Sequence, residues 1–210
     1  EQVREFFKKI KKEIPDIVIE NCASGGHRLE PSMMAASGVS SFSDAHEAIE
    51  IPYIAANLHN LMLPAQSLVW AVIHEDDKPQ RIAYSIAAAF LGRICLSGDI
   101  DKLSYEQWDI LKAAFEFYNS CEDIIVNGIT RIYGNRGRNT RYPTGTQVVI
   151  RKTDNEMMIV IHKYKNSGEE MTVSIDKGFK VSEEFFADNM AEIKDGKLII
   201  KKAPDFSAFA

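Results

Sequence analysis

Two short polar segments of the sequence carry the side chains that could do chemistry. The first, residues 20–28, reads Glu-Asn-Cys-Ala-Ser-Gly-Gly-His-Arg and follows the apolar run 17–19. The carboxyl ends of parallel strands carry the active site in barrel enzymes, and glycines there let backbone N–H groups approach a ligand closely. Composition alone favours a simpler interpretation, a tight strand-to-helix turn with a buried Cys22, because a free cysteine usually behaves as a small hydrophobe.

The second segment, residues 41–47, places Asp44, His46 and Glu47 within four positions of one another. Titratable groups clustered in a cleft can supply a general acid or base. The same residue types also begin helices, so Ser43 or Asp44 could cap the helix that follows. The spacing leaves both interpretations open.

The remaining candidates are weaker. The sequence has no glycine-rich phosphate loop and no Gly-x-Ser-x-Gly nucleophile elbow. Its other histidines (His59, His74 and His162) lack a second ligand at zinc spacing, which favours surface or hydrogen-bonded core positions. Trp70 and Trp108 lie in apolar patterns, so we expect them to fill core rather than to line a sugar site.

The elements that must position these segments alternate in the first part of the chain. Apolar residues recur at helical spacing over 3–14, and the near-continuous apolar run 17–19 is typical of a strand buried on both faces of a parallel sheet. The same order returns as a strand at 68–73, a helix at 81–91 and a strand at 94–96. We therefore predict successive βα units.

A capping box starts the next predicted helix. Ser104 followed by Gln107 is its signature, and the apolar face that follows extends to about Ser120. The sequence pattern changes beyond residue 128, where short β-rich runs alternate with turn residues; these runs are 146–152, 157–163, 171–175 and 197–202. We predict two domains, 1–128 and 129–210, the second an antiparallel β domain, with 133–145 as a linker or long loop.

Composition excludes several classes of protein. The 210 residues are 45% hydrophobic and 26% charged, with a net charge of −5 and no apolar run long enough to span a bilayer. The scattered basic residues argue against nucleic acid or an anionic membrane as a partner. Three cysteines at unrelated spacings predict neither a disulfide scaffold nor a zinc ribbon, and they favour a reducing compartment, which we take to be the cytoplasm.

The two chemistry-bearing segments together resemble the late-barrel signature of family-36 glycoside hydrolases, the bacterial α-galactosidases. That family has Cys-x-x-Gly-Gly-Gly-Arg-Phe-Asp, then Ser-Asp ahead of an acidic residue, Ala, an aliphatic residue and Glu. Here residues 22–30 read Cys-Ala-Ser-Gly-Gly-His-Arg-Leu-Glu and residues 43–50 read Ser-Asp-Ala-His-Glu-Ala-Ile-Glu. Asp44 follows Cys22 by 22 positions, as expected of the family. The rest of the chain is similar more loosely.

The resemblance implies an α/β plus all-β fold, the second half of a TIM (β/α)8 barrel followed by an antiparallel C-terminal β-sandwich. It implies that Asp44 is the general acid/base of a retaining α-galactosidase, a hydrolase that needs no cofactor and no metal. The family's nucleophile is an aspartate of a Lys-x-Asp strand, which would lie upstream of this chain, so the chain alone is expected to be inactive.

The resemblance also assigns substrate-binding positions. Cys22 and Gly25 match positions that line the galactose, Gly26 and Arg28 would shape the pocket, and His46 would adjoin the acid. We expect Arg28 to be structural and to pair with an acidic neighbour such as Glu30 or Glu47. The implied ligand is an α-galactoside oligosaccharide.

Departures from the family pattern leave two alternatives open. His27 replaces the third glycine, Glu30 replaces aspartate, and Ser41 replaces an aromatic residue. The exact sugar, and hydrolysis as against transglycosylation, are therefore not decided by these residues. The alternative function is a non-catalytic carbohydrate-binding or scaffold protein on a lapsed glycosidase barrel. Because half a barrel exposes strand edges, we also expect a homo-oligomer.

Overall fold

A computed structural model describes residues 2–22, 25–45, 49–134, 141–168 and 170–210 of the chain. The first part is built of helices and parallel strands, as the alternating sequence pattern predicts. In chain order its elements are α1 (Gln2–Glu13), β1 (Glu20–Asn21), α2 (Pro31–Met34), β2 (Val39–Ser41), α3 (Ile51–Leu58), β3 (Ser67–Ile73), α4 (Pro79–Ala89), β4 (Arg93–Gly98), α5 (Tyr105–Ser120) and α6 (Glu122–Asn127).

The four strands form one parallel sheet in the order β1-β2-β3-β4. Burial alternates along β3: Val69, Ala71 and Ile73 are fully buried in one cluster with the α4 side chains, while Trp70 on the opposite face is half-buried. The predicted strand at 68–73 is confirmed, and within the described chain only its helix-side face is fully covered.

The first predicted strand is displaced. Residues 17–19 precede β1 rather than forming it, and Val18 is 70% exposed. Within the described residues β1 lies at an edge of the sheet and pairs only with β2. The run before it therefore has a neighbouring strand on one side only, which leaves Val18 exposed. The capping box of α5 is confirmed: the Ser104 Oγ accepts from the backbone N–H of Gln107, and the Gln107 side chain accepts from that of Ser104.

The second part is antiparallel, as predicted from its β-rich runs. Its strands are β5 (Ile129–Gly134), β6 (Thr146–Lys152), β7 (Met157–Lys163), β8 (Met171–Ser174), β9 (Ala191–Lys194), β10 (Lys197–Ile200) and β11 (Ala208–Phe209). They form two sheets, one in the order β11-β7-β6-β5 and one in the order β8-β10-β9. The first residues of the predicted linker, 133 and 134, belong to β5.

Both faces of the β6–β7 hairpin are buried, which explains its near-continuous apolar sequence. One face packs on the three-stranded sheet, where Val148 and Ile161 share a cluster with Leu198. The other face packs on the parallel half, where Val149 and Val160 belong to the core that contains the α4 side chains. The parallel and antiparallel parts thus share a continuous core.

The three cysteines are free thiols: Cys22 is exposed, Cys95 half-buried and Cys121 buried. Among the described residues, no helix combines the length and the apolar character that a bilayer span requires.

Candidate functional site

The two polar segments singled out from the sequence leave neighbouring strands at the same edge of the parallel sheet. Glu20 pairs with Val39 and Asn21 with Ser40, so β1 and β2 end side by side. Cys22 follows β1 directly and exposes its side chain. Residues 43–45, here called the Asp44 segment, follow β2 after a single intervening residue. The carboxyl ends of parallel strands are where barrel enzymes place their reacting groups.

Residues 25–28, here called the glycine turn, pack directly on the Asp44 segment. Gly25 has φ +67° and Gly26 has φ +94°, a region that side chains disfavour. A Cβ on Gly25 would lie 2.7 Å from the backbone N of Asp44, and one on Gly26 would lie 2.6 Å from the carbonyl O of Phe42. Both positions therefore need glycine for conformation and for space, and the backbones of the two segments touch.

A buried asparagine at the end of β1 joins the glycine turn to β2, the strand that precedes the Asp44 segment. The Asn21 side chain, 3% exposed, donates from Nδ2 to the carbonyl O of Arg28 at 2.7 Å. The Ser40 hydroxyl donates to the Asn21 carbonyl O at 2.8 Å. Sequence reasoning did not assign Asn21 a role; the available signal was a polar residue at the end of an apolar run.

Asp44 is not a helix cap. Helix α3 begins at Ile51 with Glu50 at its N-cap, so the hypothesis that Ser43 or Asp44 caps this helix is wrong. Ser43 instead accepts the N–H of Ala45 on its Oγ at 3.0 Å, which holds the Asp44 segment as a local turn. The Asp44 side chain is exposed, and its carboxylate has no hydrogen-bond or ion-pair partner within the described part of the chain.

Arg28, a further predicted site residue, lies at the surface at the end of the glycine turn. Arg28 is exposed and makes no ion pair with Glu30, which instead accepts from the Ser32 hydroxyl at 3.3 Å. The contact of Arg28 with the end of β1 is made by its backbone carbonyl O, which accepts from the Asn21 side chain. His46 and Glu47 lie outside the described residues.

The face of the parallel sheet opposite the helices carries an aromatic ring and a thiol on β3 and β4. The Trp70 indole donates from Nε1 to the Ser41 hydroxyl at 3.3 Å, so it is tied to the last residue of β2. Cys95 of β4 pairs in register with Trp70. Burial raises the pKa of the Cys95 thiol, and the negative charge of Glu20 adds to the rise, so this thiol is held protonated.

The isolated histidines occupy the positions that their spacing favours. His59 is half-buried and bonded to Thr130 and Leu91, His162 is fully buried against Tyr84, and His74 is exposed and bonded to Asp99. No group of three potential metal-ligating side chains occurs among the described residues.

Three cavities lie away from these strand ends. Volumes of about 420, 410 and 660 Å³ are found beside α5 and α6 and along the antiparallel strands, and none of the three is lined by the glycine turn or the Asp44 segment.

Comparison with known proteins accords with this geometry. The sequence profile of the Melibiase family matches residues 2–128. None of the curated proteins matches the chain.

Several solved structures share the fold across nearly the whole chain. The family-36 α-galactosidase AgaA of Geobacillus stearothermophilus, in complex with 1-deoxygalactonojirimycin, is 14% identical with a TM-score of 0.70, covering 98% of this chain and 29% of its own. A variant of that enzyme in complex with raffinose gives 14% identity, a TM-score of 0.72 and coverages of 98% and 30%. The α-galactosidase of Lactobacillus brevis is 16% identical with a TM-score of 0.66 and coverages of 96% and 31%. The chain spans about 30% of the length of these enzymes.

Proposed function

The chain belongs to the Melibiase family, and from this membership we propose that it is the C-terminal part of a retaining α-galactosidase in which Asp44 is the general acid/base. The nucleophile belongs to a strand upstream of residue 1. The observation that carries the proposal is the contact of the glycine turn with the backbone of Asp44, because it unites the two family motifs at one sheet edge. The exposed carboxylate of Asp44 is free to meet a substrate from that edge.

The reaction requires two carboxyl groups about 5 to 5.5 Å apart, one on each side of the scissile bond. In the first step the upstream aspartate attacks the anomeric carbon while Asp44 protonates the departing glycosidic oxygen. In the second step Asp44 takes a proton from the water that hydrolyses the glycosyl-enzyme. Asp44 can serve in both steps because its carboxylate is exposed and held on a short turn by Ser43.

The substrate is a terminal α-galactoside of an oligosaccharide. Relatives of the fold are solved with raffinose and with stachyose, which supports this class of ligand. Cys22, Gly25 and Gly26 would line the sugar from the end of β1, with Arg28 and His46 at its margin. These groups come from the ends of two neighbouring strands, so the remaining contacts to the sugar would come from upstream strands.

The proposed fold is half of a (β/α)8 barrel, residues 1–128, followed by a C-terminal β-sandwich, residues 129–210. The sequential order β1-β2-β3-β4 is the order that a barrel requires. The half-buried inner face at Trp70 and Cys95 supports the idea, because upstream strands would complete its burial. The two antiparallel sheets and the apolar cluster between them support the sandwich.

The test is hydrolysis of an aryl α-galactoside by the full-length enzyme and its Asp44→Ala variant, with and without azide. We expect the activity of the variant to be about 10²-fold to 10⁴-fold lower than that of the parent, because general acid–base catalysis usually contributes this factor. Azide should restore part of it as a glycosyl azide, because an anionic nucleophile needs no general base. Asp109→Ala, which removes an exposed carboxylate on α5, is the matched control and should retain full activity.

Two results would contradict the proposal. Equal activity of the parent and Asp44→Ala would remove Asp44 from the chemistry. A full-length parent that binds α-galactosides but turns none of them over would favour the non-catalytic carbohydrate-binding alternative.

A further inference from the structure

We propose that the antiparallel sheet positions the general acid: Gln147 of β6 directly, and His162 of β7 through Tyr84, hold residues 49–52 and thereby fix the carboxyl-side end of the loop that carries Asp44. The inference rests on the proposed function and assigns a catalytic purpose to the C-terminal domain. We call Gln147, Tyr84 and His162 positioning residues, because none of them belongs to the glycine turn or the Asp44 segment.

The direct contact is a buried hydrogen bond across 95 residues of sequence. Gln147 is 4% exposed, and its Nε2 donates to the carbonyl O of Pro52 at 3.0 Å. Pro52 lies in the first turn of α3, the helix that ends the Asp44 loop. A buried amide is costly to leave unpaired, so this bond selects one position of α3 against the sheet.

The second contact is a relay of two buried rings. The His162 ring meets the Tyr84 ring edge-on with centroids 5.0 Å apart, and its Nε2–H donates to the Tyr84 carbonyl O at 3.2 Å. The Tyr84 hydroxyl then donates to the carbonyl O of Ile49 at 3.3 Å. Because Tyr84 is 1% exposed and His162 fully buried, neither ring has room to move independently.

These contacts complement those at the amino side of the loop. Strand β2 and the glycine turn fix residues 42–44, and the sheet contacts fix residues 49–52. The chain is therefore held on both sides of Asp44, at residues 42–44 and at residues 49–52. General acid catalysis depends on such placement, and a misplacement of about 1 Å can cost about 10²-fold in rate.

The experiment uses the full-length enzyme with two variants and two matched controls. Tyr84→Phe removes the hydroxyl that holds Ile49, while Tyr118→Phe removes a similar hydroxyl that donates to the Gly92 carbonyl O at 2.8 Å, away from the Asp44 loop. Gln147→Met removes the bond to Pro52, while Val149→Ala perturbs the same face of β6 by packing alone.

Two substrates separate positioning from general damage. Raffinose has a sugar leaving group that must be protonated, whereas a dinitrophenyl α-galactoside has one that leaves without a proton. We expect Tyr84→Phe and Gln147→Met to lower kcat on raffinose roughly 10-fold to 100-fold with little change in KM. The same variants should change kcat/KM on the dinitrophenyl substrate, which reports the first step alone, less than about 3-fold, and the controls should change neither substrate's kinetics.

Equal losses on both substrates, or no loss, would overturn the inference. Hydrogen exchange of the amides in 43–45 and 49–51 is measured on the same proteins and keeps the outcomes distinguishable. If the parent hydrolyses neither substrate, the proposed function fails. The rate of hydrogen exchange then tests by itself whether the sheet holds residues 43–45 and 49–51. Faster exchange in the two variants but not in the controls then supports it, and unchanged exchange overturns it.

Discussion

At the scale of single residues, glycine decides whether the two motif segments can meet. Gly25 and Gly168 have similar backbones, with φ +67° and +75°, but different surroundings. A Cβ at Gly25 would collide with the Asp44 backbone, whereas one at Gly168 would meet nothing within 4 Å. The pair therefore separates the conformational cost of a side chain from its steric cost.

We predict that Gly168→Ala lowers the free energy of unfolding by only the strain of a left-handed residue, about 1–2 kcal/mol. Gly25→Ala should lower the free energy of unfolding by the same strain and should also displace the Asp44 segment. The new Cβ would meet the backbone N of Asp44, which cannot move aside in the way that a flexible side chain can. In the full-length enzyme Gly25→Ala should lower kcat/KM for α-galactosides by at least 10-fold, as expected for a misplaced catalytic group. Similar activity of the two variants would show that the contact does not place Asp44.

At the scale of elements, the β6–β7 hairpin is docked on the parallel half by polar side chains that reach main-chain carbonyls. Arg151 donates from Nε to the carbonyl O of Ile124 and from Nη2 to that of Ile125, both in α6. Its Nη1 donates to the Thr130 hydroxyl, which also bonds His59 at 2.9 Å. The Leu91 carbonyl O can only accept, so Nε2 of His59 carries the proton, and Nδ1 of the neutral ring accepts from the Thr130 hydroxyl.

This arrangement requires neutral His59 and makes the stability of the fold depend on pH. Burial lowers the pKa of His59 to about 4, and burial lowers that of His162 to about 3. Unfolded histidines have a pKa near 6.5, so between about pH 6.5 and pH 4 the unfolded chain binds more protons than the folded one. The free energy of unfolding should therefore be largest above pH 6.5 and fall with pH below it, by at most about 1.4 kcal/mol per pH unit per histidine.

Chemical denaturation at pH 7.5, 6 and 5 measures this fall. His59→Gln should flatten the fall by one histidine's share while lowering stability at pH 7.5. His74→Gln is the control: the hydrogen bond to Asp99 raises the pKa of His74, so its contribution has the opposite sign and its removal should not flatten the fall. A pH profile of His59→Gln parallel to that of the parent chain would refute the assignment.

At the scale of the whole molecule, the described chain leaves sheet edges and apolar side chains uncovered. Within the described residues β1 pairs only with β2, and β4 only with β3. Helix α1 has no buried residue, and Phe6 on it is 59% exposed. Uncovered strand edges and apolar faces drive self-association when no partner covers them.

We expect the 210-residue chain to sediment as a homodimer at micromolar concentration. Phe6→Glu should shift it toward monomer, because the substitution places a charge on the exposed apolar face of α1. Tyr105→Glu is the control, since Tyr105 is 91% exposed at the start of α5, away from α1. A monomer at every concentration tested would contradict this expectation.

The elements with strong periodicity and the two segments that carry the family motif could be predicted from the sequence. Local patterns report which side chains are buried and with what period, so the helices near α1, α4 and α5 and the strands β3, β6 and β7 were predictable. The spacing of Cys22 and Asp44 was readable because it lies within one stretch of chain.

Which elements meet depends on the tertiary structure. The start of α3 at Ile51, which removes Asp44 from a capping role, has a local signal in Pro52 of its first turn, whereas the packing of α3 against α4 has none. The bond from Gln147 to Pro52 joins residues 95 positions apart, and the bond from Tyr84 to Ile49 joins residues 35 apart. The apolar pattern of a segment predicts that one of its faces is buried, but it does not predict which element covers that face. The topology of the chain determines the covering element.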